Sequence, residues 1–239
     1  MKTKHLGKTK TKQQTGFKIL DPIDRIKASK SYGVDYWNAY EFSYLDSNKN
    51  PVLKVLEIKI PSSSIYIVES KSLKVYLNSF YKKIFIHEKD VLIKIEKDLN
   101  RLTKSSTSLR FVKKFPTEPN SLKLNTSLRQ FSKPNHPIRF DGFRLICPVT
   151  SQPDFAIIYI YTNAKIDLKW LKIFLRSFKE KGEFHEQCIE DIFVSIEKKY
   201  PDFCIEVCGR FLRRGGIDIN PIRSSKKTFH FKNFRVFNQ

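Results

Sequence analysis

The chain lacks the residue patterns of several common protein classes. No Cys-x-x-Cys or His-x-x-x-His pair occurs, and the five histidines are scattered, which argues against a structural metal. Four cysteines (Cys147, Cys188, Cys204, Cys208) in 239 residues are too few for a disulfide framework, so free thiols are expected. The longest uninterrupted apolar run, Phe155 to Tyr161, is far short of the roughly 20 residues that span a bilayer. Met1 to Lys12 is basic and polar without an apolar core. These absences predict a soluble, cytoplasmic protein that keeps its thiols reduced and contacts no membrane. No Gly-x-Gly-x-x-Gly occurs, so a Rossmann dinucleotide site has no support.

Acidic residues are also scarce: 24 Asp and Glu face 45 Lys and Arg, a formal charge of +21. Such an excess ordinarily suggests nucleic acid, because clustered cations neutralise phosphates. Its distribution weakens that reading. Residues 1–30 carry nine basic and two acidic side chains, and the remaining +14 is spread over 209 residues without a dominant block. Lysine outnumbers arginine 33 to 12, whereas arginine is the better phosphate-recognition residue. No direct nucleic-acid partner is expected.

What is present is a repeat. Leu73-Lys74-Val75-Tyr76-Leu77-Asn78-Ser79-Phe80 aligns with Leu171-Lys172-Ile173-Phe174-Leu175-Arg176-Ser177-Phe178 without a gap at an offset of 98, and His87-Glu88 continues it against His185-Glu186. In both copies the apolar residues fall at i, i+3, i+4 and i+7, the stripe of an amphipathic helix. Val91, Ile95 and Leu99 predict a second helix in the first copy; Ile189, Ile192, Phe193 and Ile196 predict one in the second. Extended segments precede each helix pair, around Leu56–Ile60 and Phe155–Tyr161, and follow it, over Leu109–Phe115 and Phe203–Leu212. The unit reads β-β-α-α-β-β twice, an α+β chain with antiparallel sheets and helices on one face. The expected organisation is a basic extension over 1–30, a first module over 31–119, a Ser-, Asn- and Pro-rich linker over 120–137, and a second module over 138–239.

The copies differ in their polar equipment. Glu69-Ser70-Lys71-Ser72 leads the helix of the first and Asp167-Leu168-Lys169-Trp170 that of the second, and only the second carries a cysteine in its strand-to-strand turn. That turn, Cys147-Pro148-Val149-Thr150-Ser151-Gln152-Pro153-Asp154-Phe155, is stiffened by two prolines. A thiol and a carboxylate on one rigid turn can serve as nucleophile and proton donor, although an ordinary turn with a capping aspartate fits equally well. Cys188 on an apolar helix stripe, and Cys204 and Cys208 on one strand face, read as packing residues. His87-Glu88 reads as an exposed helix start.

Four segments together carry a resemblance: Glu69-Ser70-Lys71-Ser72-Leu73-Lys74-Val75-Tyr76-Leu77, the turn Cys147–Phe155, Phe184-His185-Glu186-Gln187-Cys188, and Arg213-Arg214-Gly215-Gly216-Ile217-Asp218-Ile219-Asn220-Pro221. Each resembles the matching stretch of the 7-cyano-7-deazaguanine reductases, NADPH-dependent nitrile reductases of queuosine biosynthesis, in the order seen in the long, two-module form. The resemblance covers most of residues 30–225. It implies two tandem tunnelling-fold modules and a site drawing on both. It further implies that Cys147 is the nucleophile forming a thioimide and Asp154 the acid that protonates the nitrile nitrogen. His185 and Glu186 would contact the base, with the carboxylate accepting from its N–H groups; Val68, Glu69 and Ser70 would complete the pocket. NADPH would be held by Ser70, Lys71, Arg214 and Gly215, with no metal, in a homodimer or larger homo-oligomer. The stretch between the modules is shorter than in the family's long form, and the amino-terminal region is reduced and lysine-rich.

Two other readings stay open from the sequence. One is a pterin- or purine-binding cyclohydrolase or aldolase of the same fold, in which Cys147 and Asp154 have no obvious role. The other is a non-catalytic RNA-binding module, favoured by charge alone.

Overall fold

The computed structural model describes residues 15–26 and 31–239. Most of the expected basic extension lies outside the described residues, but residues 15–26 do not. Within the first of two compact units, a 3-10 turn at Gly16–Ile19 leads into strand β1 (Pro22–Asp24), and Ile19, Leu20 and Ile23 are buried. Residues 16–24 are thus built into the fold, because this stretch carries apolar side chains that the lysine-rich start of the chain lacks.

The first unit comprises the described residues up to Ile26, with Trp37–Lys114 and Arg214–Ile217. It holds β1, most of β2 (Tyr32–Leu45), β3 (Pro51–Pro61), β4 (Tyr66–Val68), helices α1 (Ser70–Asn78) and α2 (Glu88–Thr103), and β5 (Ser108–Phe111). β1 pairs antiparallel with β4, and β3 with β5. Leu56, Ile58 and Ile60 on β3 are buried, as are Leu73, Tyr76 and Leu77 on α1 and Val91, Ile95 and Leu99 on α2, the stripes expected of helices packed on a sheet. His87 is the exposed residue preceding α2.

The second unit comprises residues 31–36, Phe115–Arg213 and Asp218–Gln239. After β6 (Leu122–Lys123), it runs β7 (Ile138–Ile146), β8 (Pro153–Thr162), α3 (Leu168–Arg176), α4 (His185–Lys199), β9 (Ile205–Phe211) and most of β10 (Ile217–Ser224). β7, β8, β9 and β10 pair antiparallel in that order, and β6 adds parallel to β7. One sheet face packs on α3 and α4 through Ile158, Ile160, Val207, Leu171, Ile189 and Ile192. The other is covered by the segment after β10: Phe231, Phe234 and Val236 bury Ile157, Tyr159, Cys208 and Ile222.

The chain is therefore an α+β protein of two tandem modules, and the second shows the β-β-α-α-β-β order in full. The first departs from it, with a single strand, β5, after α2. Residues 112–121 contain Lys113-Lys114, Pro116 and Pro119, and proline cannot donate to a ladder. Part of the expected linker is ordered against the second unit instead, where β6 pairs with β7 and Leu124 is fully buried.

Glu206 on β9 fastens the covering segment, accepting from the backbone N–H of His230 at 2.8 Å and of Phe231 at 2.7 Å. Burial pushes its carboxyl up to about 7 from 4.5, against those hydrogen bonds. The folded state thus holds this proton more tightly than the unfolded chain. Its stabilising contribution is full below about pH 4.5 and is lost as pH rises through about 7. Thermal melts from pH 5 to 8 should show stability falling as this group ionises, and Glu206→Gln should flatten that part of the profile relative to the parent chain.

Candidate active site

The β7–β8 connection places the first functional group. β7 ends at Ile146 and β8 starts at Pro153; between them Cys147 N–H donates to Gln152 O at 2.9 Å, and Ser151 N–H to Cys147 O at 3.0 Å. Ser151 sits at φ +56 to close the loop. Cys147 is half-buried at its start. Asp154 is not part of the loop, contrary to the expected strand start at Phe155. It stands on β8 opposite Leu145 and is 7% exposed. Because side chains alternate along a strand, Asp154 shares the helix-covered face with Ala156 and Ile158, while Phe155 points outward, 42% exposed.

Helix α4 starts over that face. Its first residue, His185, lays its imidazole flat on the Phe211 ring, with centroids 3.9 Å apart and planes 6° apart. Nε2 lies 3.2 Å from Asp154 Oδ2, and Nδ1 is buried without a hydrogen-bond partner among the described residues. Glu186 follows and is 4% exposed. The structure thus joins Asp154 to His185, with Glu186 beside them on the same helix turn. The segment before α4 is zipped to the strand that leads into Cys147: Ile146 N–H donates to Lys181 O at 2.9 Å, and Glu183 N–H to Ile146 O at 3.2 Å.

The other thiols differ sharply. Burial raises Cys188 well above the ordinary thiol range and pushes Cys208 up to about 12, so both stay protonated and unreactive. Cys204 departs from expectation: it precedes β9 rather than lying within it, and is half-buried. It lines a cavity of about 140 Å³ with Tyr161, Lys226 and His230. Position in a regular element therefore does not set Cys204 apart from Cys147.

The remaining expected residues lie in the first unit. Val68 ends β4 and is buried, and Glu69 caps α1: its carboxylate accepts from Lys71 N–H at 2.8 Å and Ser72 N–H at 2.7 Å. Asp167, 98 residues on, does the same for α3 through Lys169 and Trp170 N–H. Each capping oxygen keeps acceptor capacity for a further partner. Ser70 and Lys71 open α1. Arg214 and Ile217 bridge across Gly215 and Gly216, whose φ values of +57 and +76 make a two-residue hairpin turn of the type glycine favours.

That turn borders a cavity of about 280 Å³ lined by Glu41, Lys74, Asn78, Gly215, Gly216 and Ile217. A side chain at Gly215 would begin 3.4 Å from the Lys74 stem, and one at Gly216 would fall 2.7 Å from the Glu41 carboxylate. Bare backbone beside a lysine, with Ser70 and Lys71 on the same helix, suits the phosphates of a dinucleotide. Lys74 and Glu41 were missed in the sequence; the i, i+3 spacing of Lys71 and Lys74 is the signal that points to the first, and only tertiary contact reveals the second. Among the described residues, no group of three or more His, Cys, Asp or Glu side chains could hold a metal ion, and no helix is long and apolar enough to cross a membrane.

The tandem α+β modules, with a thiol loop and a carboxylate–imidazole pair in the second, match known nitrile reductases in sequence. The family model described as "Nitrile reductase, 7-cyano-7-deazaguanine-reductase N-term" matches residues 20–111, and that described as "QueF-like protein" matches residues 153–229. The chain belongs to the family of the NADPH-dependent 7-cyano-7-deazaguanine reductases. It is 33% identical to such a reductase from Xylella fastidiosa (strain M23), over 87% of this chain and 87% of the relative. It is also 33% identical to one from Coxiella burnetii (strain Dugway 5J108-111), over 87% of this chain and 82% of that protein.

The caps allow a test that needs no substrate. Glu69→Ala and Asp167→Ala should each lower stability by about 1 kcal/mol in urea titrations, because each leaves helix N–H groups uncapped. A loss of substrate affinity confined to Glu69→Ala would then separate recognition from capping.

Proposed function

We propose that this chain reduces the nitrile of 7-cyano-7-deazaguanine to the aminomethyl group with NADPH, through a covalent thioimide on Cys147, as a step of queuosine biosynthesis. The observation that carries the reading is the Asp154–His185 contact, 3.2 Å, on the helix-covered face beside the Cys147 loop.

A nitrile carbon is a soft electrophile that a thiolate attacks well. As the S–C bond forms, negative charge builds on nitrogen, and Asp154 gives that nitrogen its proton. His185 Nε2 then faces the resulting carboxylate and donates to it. Glu186 accepts from the N–H groups of the base, a role suited to a carboxylate because a guanine-like edge presents adjacent donors. NADPH supplies the hydrides, one per molecule. When the carbon has gained the first, the C–S bond breaks, Cys147 leaves as thiolate, and the imine left behind is reduced in turn.

The proposal also assigns Val68, Glu69 and Ser70 to base recognition, and Ser70, Lys71, Arg214 and Gly215 to the reductant. The cavity beside Gly215 adds Lys74 to that set, and the cations match the additional phosphate that separates NADPH from NADH. Cytoplasmic location, assembly as a homodimer or larger homo-oligomer, and the absence of a direct nucleic-acid partner complete the reading.

The test follows nicotinamide absorbance and intact mass together. Two NADPH should be consumed per aminomethyl product. Incubation with the cyano base alone should add one substrate mass, mapped to the peptide containing Cys147. Cys147→Ala should abolish adduct and turnover, and Asp154→Asn should slow adduct formation by about a hundredfold or more, the usual worth of a positioned acid. Adduct on Cys204 instead of Cys147, or reduction surviving Cys147→Ala, would sink the mechanism.

A further inference from the structure

The reductant has two chemically distinct ends. The cavity of about 280 Å³ in the first unit is at the small end for a ligand pocket, so it holds only one of them. It is lined by the Gly215-Gly216 turn, by β2 at Glu41 and by α1 at Lys74 and Asn78. Tyr40 N–H donates to Gly216 O at 2.9 Å, which seats the turn against β2 one residue before Glu41. Both glycines have positive φ. A Cβ at Gly215 would lie 3.6 Å from Lys74 Nζ, and one at Gly216 would lie 2.7 Å from Glu41 Oε2. The wall therefore presents a cation beside one glycine and a carboxylate beside the next, over bare backbone that a ligand can approach closely.

Helix α1 gives the direction. Ser70 and Lys71 open it next to Glu69, and Lys74 and Asn78 follow about one and two turns further on. At a rise of about 1.5 Å per residue, Asn78 stands about 12 Å along the axis from Ser70. A hydride donor must bring its nicotinamide to the base, which the proposed function seats at Val68, Glu69 and Ser70. The end that reaches the cavity is then the adenosine end. In NADPH its ribose carries a phosphate at the 2′ position and a hydroxyl at the neighbouring 3′ position. The first calls for a cation and the second for an acceptor, and Lys74 and Glu41 supply them on adjacent glycines. The Asn78 side chain offers an acceptor and a donor on one amide, the pair that matches the N6–H and N7 edge of adenine.

We infer that this cavity receives the 2′-phosphoadenosine end of NADPH, with Lys74 reading the 2′-phosphate and Glu41 accepting from the 3′-hydroxyl; the inference rests on the reading that the reductant binds at Ser70 and Lys71. Lys74 is thereby the residue that separates NADPH from NADH, whose ribose has a hydroxyl in place of that phosphate. Glu41 also repels the phosphate, but salt screens this repulsion at an exposed carboxylate. A hydrogen bond to a charged acceptor is the stronger effect at contact distance.

Titration calorimetry on the full chain tests this without turnover, using adenosine 2′,5′-bisphosphate and adenosine 5′-monophosphate as probes. The parent should bind the bisphosphate about tenfold more tightly, the worth of one charge-assisted contact. Lys74→Met should erase that preference, and Lys74→Arg, which keeps the charge, should retain it. Glu41→Ala should weaken both probes about fivefold or more, because both carry the 3′-hydroxyl. With the cyano base present, Lys74→Met should lose the same factor from the ratio of kcat/KM for NADPH over NADH. An undiminished preference in Lys74→Met, or a parent that binds the two probes equally, would overturn the inference. So would a loss of urea stability in Lys74→Met and Glu41→Ala with neither affinity changed, the pattern of a plain ion pair. Failure of the underlying reading is distinct: there the parent would oxidise no NADPH with the cyano base.

Discussion

The second module is organised around one buried cation. Arg223 on β10 is 1% exposed; its Nε donates to Glu190 on α4 at 2.6 Å, and its Nη1 to Asp35 on β2 at 2.7 Å. Ser31 adds a hydroxyl to Glu190, and Arg223 Nη2 reaches the carbonyl of Glu186 at 3.4 Å. Removing three charges from water is costly unless every lone pair and N–H finds a partner, so the arrangement tolerates little displacement. The two carboxylates raise the guanidinium further above its ordinary range, against the cost of its burial. The consequence for function is geometric. The first turn of α4, which carries His185 and Glu186, is held to β10 by a charged fork as well as by apolar packing.

Strand alternation supplies the rest of the site. A period of two turns Asp154 toward the helices and Phe155 away from them, and the β8–β9 register sets Ala156 opposite Phe211, the ring on which His185 rests. Flat stacking keeps the imidazole edge, rather than its face, toward Asp154, so the orientation of the ring comes from packing. The same burial divides the thiols. Desolvation keeps Cys188 and Cys208 protonated, while Cys147, in the loop at the sheet's end, and Cys204 are half-buried.

The two modules show how a repeat diverges. Both cap the first helix with a carboxylate at equivalent positions, Glu69 and Asp167, because the orphan N–H groups of a helix start need an acceptor in either copy. The longer glutamate side chain is used where the sequence resemblance expects a base contact. In the first module, a glycine turn and Lys74 border a cavity. In the second, the face of the sheet away from the helices is closed by the segment after β10, whose Phe234 meets Tyr159 edge to face at 4.9 Å. Nothing in the repeat pattern announced that segment.

The sequence by itself determined most of the local elements: two helix pairs by their apolar stripes, the strands by their alternation, and the cysteine turn by its prolines. It also set the divergence between copies, and its motifs were specific enough to name a family. These features depend on residues a few positions apart, where side-chain periodicity is a direct consequence of backbone geometry. Tertiary structure alone decided that Asp154 belongs to a strand and meets His185, that Arg223 pairs with Asp35 across 188 residues, that Glu41 approaches Gly216, and that the His185 ring lies on Phe211. Those contacts join distant parts of the chain, and what selects them is the cost of burying charge and the close packing of sheet and helix, neither of which has a period that a sequence can display.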